Sequence, residues 1–332
     1  MPRRIVLSFV CTLLDPFSSP AQEPYKPSTT ISIAPGAWHS NGKPTYAGTR
    51  AEGLLLNMRA VNAVFEDRNP ATAPKGFDPE KNVQAFIDKV PEYVACGVRA
   101  FTIGLQGGDP GYAGVLNSAF EPDGRLRPSS AKRVERVIEA ADRAGAAVIL
   151  SCFDHGQDQV LKDAAAVKKA VVGTVEWLRG RGYRNVLLEI AGEFMHKSYD
   201  HAAIRDPTGM KELVLLAKKT WPQLLVSASG MGGGRLDHRV GTEADFLLLH
   251  FENVPVEEIL ERVASADKVS KPIVCNQDAK AGEEGAKALE ATVNALASWG
   301  YSSPKNQHHP FRFEGAADDP AVYAKFKELT SK

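Results

Sequence analysis

The chain has 332 residues, 43% of them hydrophobic and 24% charged, with 40 Lys+Arg balanced by 40 Asp+Glu. That composition is globular, and a formal net charge of zero argues against a nucleic-acid groove or an anionic membrane surface as the main partner. Four Cys cannot form a disulfide scaffold, and 28 Gly and 21 Pro are too few for a fibrous or long disordered chain.

The first residues read as a targeting segment. Arg3 and Arg4 precede an apolar run over 5–14, and Ser19-Pro20-Ala21 offers the small residues that a signal peptidase reads. The run is too short to span a bilayer, which needs about 20 apolar residues. The expectation is a signal peptide over 1–22, a single domain over 23–332, and a secreted or periplasmic protein. Cleavage would remove Cys11 and leave Cys96, Cys152 and Cys275, an odd set with apolar neighbours that reads as buried thiols.

Beyond Gln22, short β-rich runs alternate with longer amphipathic stretches. Strands are predicted at 30–34, 100–105, 147–153, 185–190, 224–228, 245–250, 272–275 and 298–301. Most are continuous apolar runs, as expected of parallel strands buried on both faces. Helices are predicted at 130–144, 163–178, 211–219, 256–264, 285–297 and 319–329, where apolar residues recur at helical spacing. Repeated βα units over this length predict a single-domain α/β protein, a (β/α)8 TIM barrel. A doubly wound sheet would carry a Gly-rich phosphate turn after its first strand, and Pro35-Gly36-Ala37-Trp38 is no such turn.

In a (β/α)8 barrel the active site forms at the C-terminal ends of the strands. The residues following each predicted strand are therefore the candidates. They are Trp38 and His39, Gln106, Asp154 and His155, Gly192 and Glu193, Ser229, His250 and Glu252, and Asn276, Gln277 and Asp278; Trp299 and Tyr301 mark the eighth. Amides, carboxylates and imidazoles beside aromatics suit sugars, whose hydroxyls need planar donors and acceptors while their C–H faces stack on Trp and Tyr. No H-x-H or H-E-x-x-H spacing supports a metal centre, so a metal-dependent hydrolase or isomerase using His39, Asp154, His155, His250 and Asp278 is disfavoured. Neither a metal nor an organic cofactor is expected. Gly232-Gly233-Gly234 suggests a flexible loop, and His308-His309 reads as surface.

Residues 33–48 (IAPGAWHSNGKPTYAG), 101–108 (FTIGLQGG), 117–120 (NSAF), 156–163 (GQDQVLKD), 182–193 (GYRNVLLEIAGE), 245–250 (DFLLLH), 272–278 (PIVCNQD) and 299–301 (WGY) resemble an uncharacterised bacterial group of cellulase-like glycoside hydrolases of clan A type. The resemblance implies a TIM barrel with an acid/base Glu after strand four and a nucleophilic Glu after strand seven. It places Glu193 as the general acid/base. Gly192 stands where the family carries an Asn whose amide would hold the sugar's 2-hydroxyl, and Gln277 stands at the nucleophile. An amide cannot form a glycosyl-enzyme, so a working enzyme needs another carboxylate, from Asp278 or Glu252. The implied function is hydrolysis of an oligo- or polysaccharide. The alternative is a catalytically impaired pseudo-glycosidase that binds glycan without cutting it.

Overall fold

Asp side chains start three of the long helices: Asp78 accepts from the backbone N–H of Glu80 and Lys81, Asp163 from Ala166, and Asp319 from Val322. Each satisfies donors that a helix N-terminus leaves unpaired. The computed structural model describes residues 25–266 and 270–332, so the expected signal peptide and Cys11 lie outside the described residues. Eleven strands are described: β1 (Ile31–Ala34), β2 (Ala37–Ser40), β3 (Lys43–Pro44), β4 (Asn57–Arg59), β5 (Ala100–Gly104), β6 (Ala147–Phe153), β7 (Val186–Ala191), β8 (Leu225–Ser227), β9 (Leu247–His250), β10 (Ile273–Gln277) and β11 (Gly300–Tyr301). The helices are α1 (Pro79–Ala95), α2 (Pro128–Arg143), α3 (Ala164–Arg181), α4 (Ala202–Arg205), α5 (Pro207–Thr220), α6 (His238–Glu243), α7 (Ile259–Ala266), α8 (Gly282–Asn294), α9 (Pro304–Gln307) and α10 (Pro320–Thr330).

Strands β4 to β11 form one parallel barrel. β11, β4, β5, β6, β7 and β8 are hydrogen-bonded in that order, and β9 pairs with β10. Bridges from Ser229 to Leu248, Val274 to Ser298 and Asp278 to Tyr301 close the ring. The helices pack outside it, giving the expected α/β, single-domain TIM barrel. Cys96, Cys152 and Cys275 are free thiols, and burial pushes the Cys152 thiol up to about 12. No helix of the described residues is long and apolar enough to cross a membrane.

The first predicted strand is corrected. Residues 30–34 contribute β1 of a small antiparallel sheet with β2 and β3, outside the barrel. The first barrel strand is β4, whose Asn57 and Arg59 break the apolar run that marks the others. Asn57 is accommodated because its amide donates to the carbonyls of Leu55 and Cys275. Helix α1 also escaped the sequence reading, since Pro91 lies inside it.

This correction moves Trp38 and His39 away from the strands' C-terminal ends. Trp38 is buried among Ile31, Leu55, Ala100, Ala147, Phe246 and Val274, all at the beginnings of barrel strands or just before them, or in β1. Its ring meets Phe246 edge-on at 5.3 Å. His39 lies beside it in β2, opposite Ser32 and Pro44. Both belong to the plug of the barrel's N-terminal end, where conserving stability rather than chemistry is the usual task. Trp38→Ala should therefore destabilise the fold by about 3–5 kcal/mol in urea unfolding, the usual cost of emptying a buried aromatic site. Ligand binding by the folded fraction should be unchanged; a loss of binding with stability intact would return Trp38 to the cleft.

Candidate active site

The turn after β7 holds Glu193 in an uncommon backbone conformation. Its φ is +49°, in the left-handed region that a non-glycine residue enters only at a cost of about 1–3 kcal/mol. Ser229, just past β8, fixes it: the Glu193 N–H donates to Ser229 Oγ at 3.1 Å, and the Phe194 N–H donates to the Ser229 carbonyl at 3.1 Å. Buried Tyr199 donates its hydroxyl to the Gly192 carbonyl at 2.8 Å. The carboxylate is thereby set between two imidazoles. His250 Nδ1, at the end of β9, lies 3.3 Å from Oε1, and His155 Nε2, past β6, lies 3.8 Å from Oε2. The His155 ring is itself stacked on His196 at 4.1 Å.

The second half of the site comes from β9 and β10. A register shift between Cys275 and Gln277 places Gln277 opposite His250. Such bulges re-aim side chains next to active sites. The Gln277 amide donates to Glu252 Oε1, while Glu252 Oε2 is buried without a hydrogen-bond partner. Glu193, His250 and Glu252 each offer one donor atom, all within 4.8 Å of one another. Those three are also the residues that could hold a divalent cation, a set the sequence reading had not assembled.

Electrostatics separates the two carboxyls. Burial opposes ionisation of Glu193, but the hydrogen bond to His250 and the charges of His250, His155 and Arg59 outweigh it and hold the group below the ordinary carboxylate range. For Glu252 burial prevails over His250 and Arg59, and the group is raised. Burial also pushes Asp154 up to about 7, against the pull of Arg59.

A pocket of about 190 Å³ opens at this end of the barrel, lined by Arg59, Asp154, His155, Gly192, Glu193 and Gln277 together with Val61, Gly108, Asp109, Ser302, Gln307 and His308. Its size is below the ~300–1,000 Å³ typical of pockets for drug-sized ligands. Glu252 is not part of the lining; its amide partner Gln277 is.

The remaining sequence candidates have other tasks. Gln106 is buried, donating to Ser118 Oγ and the Gln157 carbonyl, and so ties down the loop after β5. Asn276 is buried in the barrel with its amide 3.5 Å from the Glu189 carboxylate. Asp278 is buried away from the pocket, accepting from Trp299 Nε1 at 2.9 Å and from Lys280 Nζ at 3.0 Å. Trp299 and Tyr301 are not stacking surfaces for a ligand. They stack on each other at 5.9 Å, and Trp299 also meets Phe326 of α10, so both face the helices. Strand alternation turns Gly300 and Ser302 inward instead.

The sequence reading missed Arg59, Asp109, Ser302 and Gln307; His308 is exposed, as expected, and also borders the pocket. Arg59 was missed with its strand. Gln307 donates to the Arg59 carbonyl at 3.0 Å and accepts from Asn62 at 2.7 Å, which draws the loop carrying His308 over the pocket. Only the polar position two residues after Gly300 could have pointed to this wall.

No family model and no curated protein matches the chain. Solved structures do. A candidate glycoside hydrolase from Bacteroides vulgatus superposes with a TM-score of 0.64 at 12% identity, covering 90% of this chain and 60% of that one. The chain thus spans about three-fifths of that protein's length. A broad-specificity GH5-4 endoglucanase from Clostridium longisporum gives 0.61 at 9% identity, covering 86% and 99%. An endo-1,4-β-mannanase from the earthworm Eisenia fetida gives 0.59 at 12%, covering 92% and 96%. At 9–12% identity these likenesses show the fold alone, a TIM barrel of the kind these glycoside hydrolases have.

The raised Asp154 has a consequence for stability. Unfolded, its carboxyl ionises near pH 3.9; folded, it keeps its proton to about 7. Between those values the unfolded chain binds fewer protons, so this group costs stability as pH rises through that window and a constant amount above it. Asp154→Asn should raise the melting temperature relative to wild type progressively from pH 4 to 7, with a plateau at pH 8. A pH-independent difference between the two proteins would contradict the assignment.

Proposed function

We propose that this chain is an O-glycosyl hydrolase of an oligo- or polysaccharide that works with Glu193 and Glu252 as its carboxyl pair. The observation that carries this reading is their placement: donor oxygens just past the ends of β7 and β9, within 4.8 Å, at the C-terminal end of a glycosidase-like barrel. Retaining glycosidases hold their carboxyls about 5–5.5 Å apart, inverting ones about 6.5–9.5 Å, so the spacing favours retention. Gln277 then need not act as a nucleophile. It serves as the amide that orients Glu252.

The environments divide the roles. Glu193, whose ionised form His250, His155 and Arg59 favour, attacks the anomeric carbon; Glu252, whose protonated form burial favours, gives its proton to the leaving oxygen. The C–O bond to the leaving group breaks as the bond to Glu193 forms. Ionised Glu252 next takes a proton from water, whose oxygen displaces Glu193 and regenerates both groups. This exchanges the acid/base role that the family resemblance implies for Glu193. Asp278 takes no part, because Trp299 and Lys280 occupy its oxygens.

The test compares wild type, Glu193→Gln, Glu252→Gln and Gln277→Glu on aryl glycosides with good and poor leaving groups. Wild type should hydrolyse with retention. Glu193→Gln should lose turnover on every substrate. Glu252→Gln should lose about 10²–10⁴-fold on poor leaving groups and far less on good ones, as expected of a missing general acid. Activity gained only in Gln277→Glu would mark wild type as an impaired enzyme. Sugar binding without turnover by any of the four would mark a glycan-binding pseudo-glycosidase, and loss of wild-type activity to a chelator would assign Glu193, His250 and Glu252 to a metal.

A further inference from the structure

Arg59 is a buried charge with little to hold it. It is 6% exposed, its Nη1 is buried without a hydrogen-bond partner, and among the described residues its side chain makes no ion pair within 4 Å. Such a group is costly unless something else meets its five donors. It lines the pocket beside Glu193 and Gln277, on the strand opposite β8 in the barrel. Its carbonyl is clasped by Gln307, so its backbone is not free to withdraw the side chain.

The space it reaches is the space left by Gly192. A Cβ built on Gly192 would lie 3.6 Å from Arg59 Nη2, 3.9 Å from Glu189 Oε1 and 3.9 Å from Ser229 Oγ. Any side chain longer than Ala there would grow toward the guanidinium. Gly192 directly precedes Glu193, so a donor in this gap stands one residue from the group that meets the anomeric carbon. A sugar placed with that carbon at Glu193 carries its nearest hydroxyl, the one at C2, toward the same wall. Hydrogen bonds to that hydroxyl strengthen as charge develops on the ring.

We propose that Arg59 is the positioning and specificity-determining residue for the C2 hydroxyl, supplying from β4 the donor that Gly192 lacks. The substrate class is thereby narrowed to glycosides with a free hydroxyl at C2, and 2-deoxy or 2-acetamido sugars are excluded. This rests on the hydrolase reading above. It does not depend on which of Glu193 and Glu252 is the acid.

The experiment uses 4-nitrophenyl β-glucoside and β-mannoside, epimers at this carbon, and the 2-deoxy glycoside common to both. Each is assayed with wild type, Arg59→Lys, Arg59→Gln and the double variant Arg59→Gln/Gly192→Asn. The readout is the ratio of kcat/KM for the hydroxylated over the 2-deoxy substrate, which cancels their different intrinsic reactivities between variants. Arg59→Gln should reduce that ratio by about 10- to 100-fold, the range expected when a hydrogen bond from a charged group is lost. Arg59→Lys should fall between, since an ammonium keeps the charge and loses the fork. The double variant should recover part of the ratio. Folding is followed by melting temperature, which should not fall in Arg59→Gln, because an unpaired buried charge is being removed. Equal losses on both substrates, with the pH profile displaced, would overturn the proposal and leave Arg59 as a charge that tunes Glu193. Failure of wild type to hydrolyse any of the three would overturn the hydrolase reading, and this one with it.

Discussion

One guanidinium stands among the carboxyls of the pocket, and their ionisation depends on it. Arg59 draws down Asp154, Glu193 and Glu252 alike, yet only Glu193 ends below its ordinary range, because it alone of the three is hydrogen-bonded to His250 and also faces His155. The other two remain raised by burial. This end of the barrel thus separates its acids, shifting Glu193 toward the ionised form and Asp154 and Glu252 toward the protonated one. Desolvated charge is poor evidence for stability, since its removal from water costs more than most pairings return. The barrel tolerates it at the end where ligands bind and fills the other end with Trp38, Phe246 and aliphatic side chains.

Backbone devices hold these groups where sequence alone would not. Glu193 sits at a positive φ held by hydrogen bonds through Ser229, through Tyr199 to Gly192, and from the His196 N–H to the Glu193 carbonyl. The bulge in β10 brings Gln277 level with His250. Gly234 and Asn253 exchange backbone bonds with His250 and Gly232, so the glycine-rich segment is stitched to the end of β9 beside Glu252. Strain, bulge and glycine loop all fall within four neighbouring strands, β7 to β10, and this is where the donor atoms converge.

The sequence made the fold legible through its buried parallel strands. Seven of the eight barrel strands coincide with continuous apolar runs such as 147–153, where every side chain is buried. The eighth, β4, was hidden because two of its three residues are polar and one serves the pocket. Taking 30–34 in its place carried Trp38 and His39 to the wrong end. Trp299 and Tyr301 were misread for a different reason: position after a strand suggests a ligand, but alternation within β11 turns both toward α10. Glu193 and Gln277 were candidates by position after a strand, and motif resemblance singled them out from the rest. That Glu252, rather than the adjacent Asp278, would sit against Gln277 depends on pairing across strands, which no local pattern encodes.

The two departures from the pattern that the sequence resemblance implies have a common physical form. Where a strand-seven carboxylate would stand, Gln277 offers an amide, and a carboxyl from the neighbouring strand, Glu252, lies against it. Where a strand-four amide would stand, Gly192 offers no side chain, and a guanidinium from β4 reaches the gap. On the proposed reading the group absent from one strand is supplied in space by another, which a closed barrel permits because all eight strands deliver their ends to the same rim. Random loss of function predicts no such pairing: a decayed site would leave the vacated volume to apolar side chains or to solvent, and would have no reason to retain an unpaired guanidinium and a raised carboxyl beside it. Both residues carry desolvation costs that a binding surface for neutral sugar would not require. Their retention on the two sides of Glu193 supports a site that still handles developing charge.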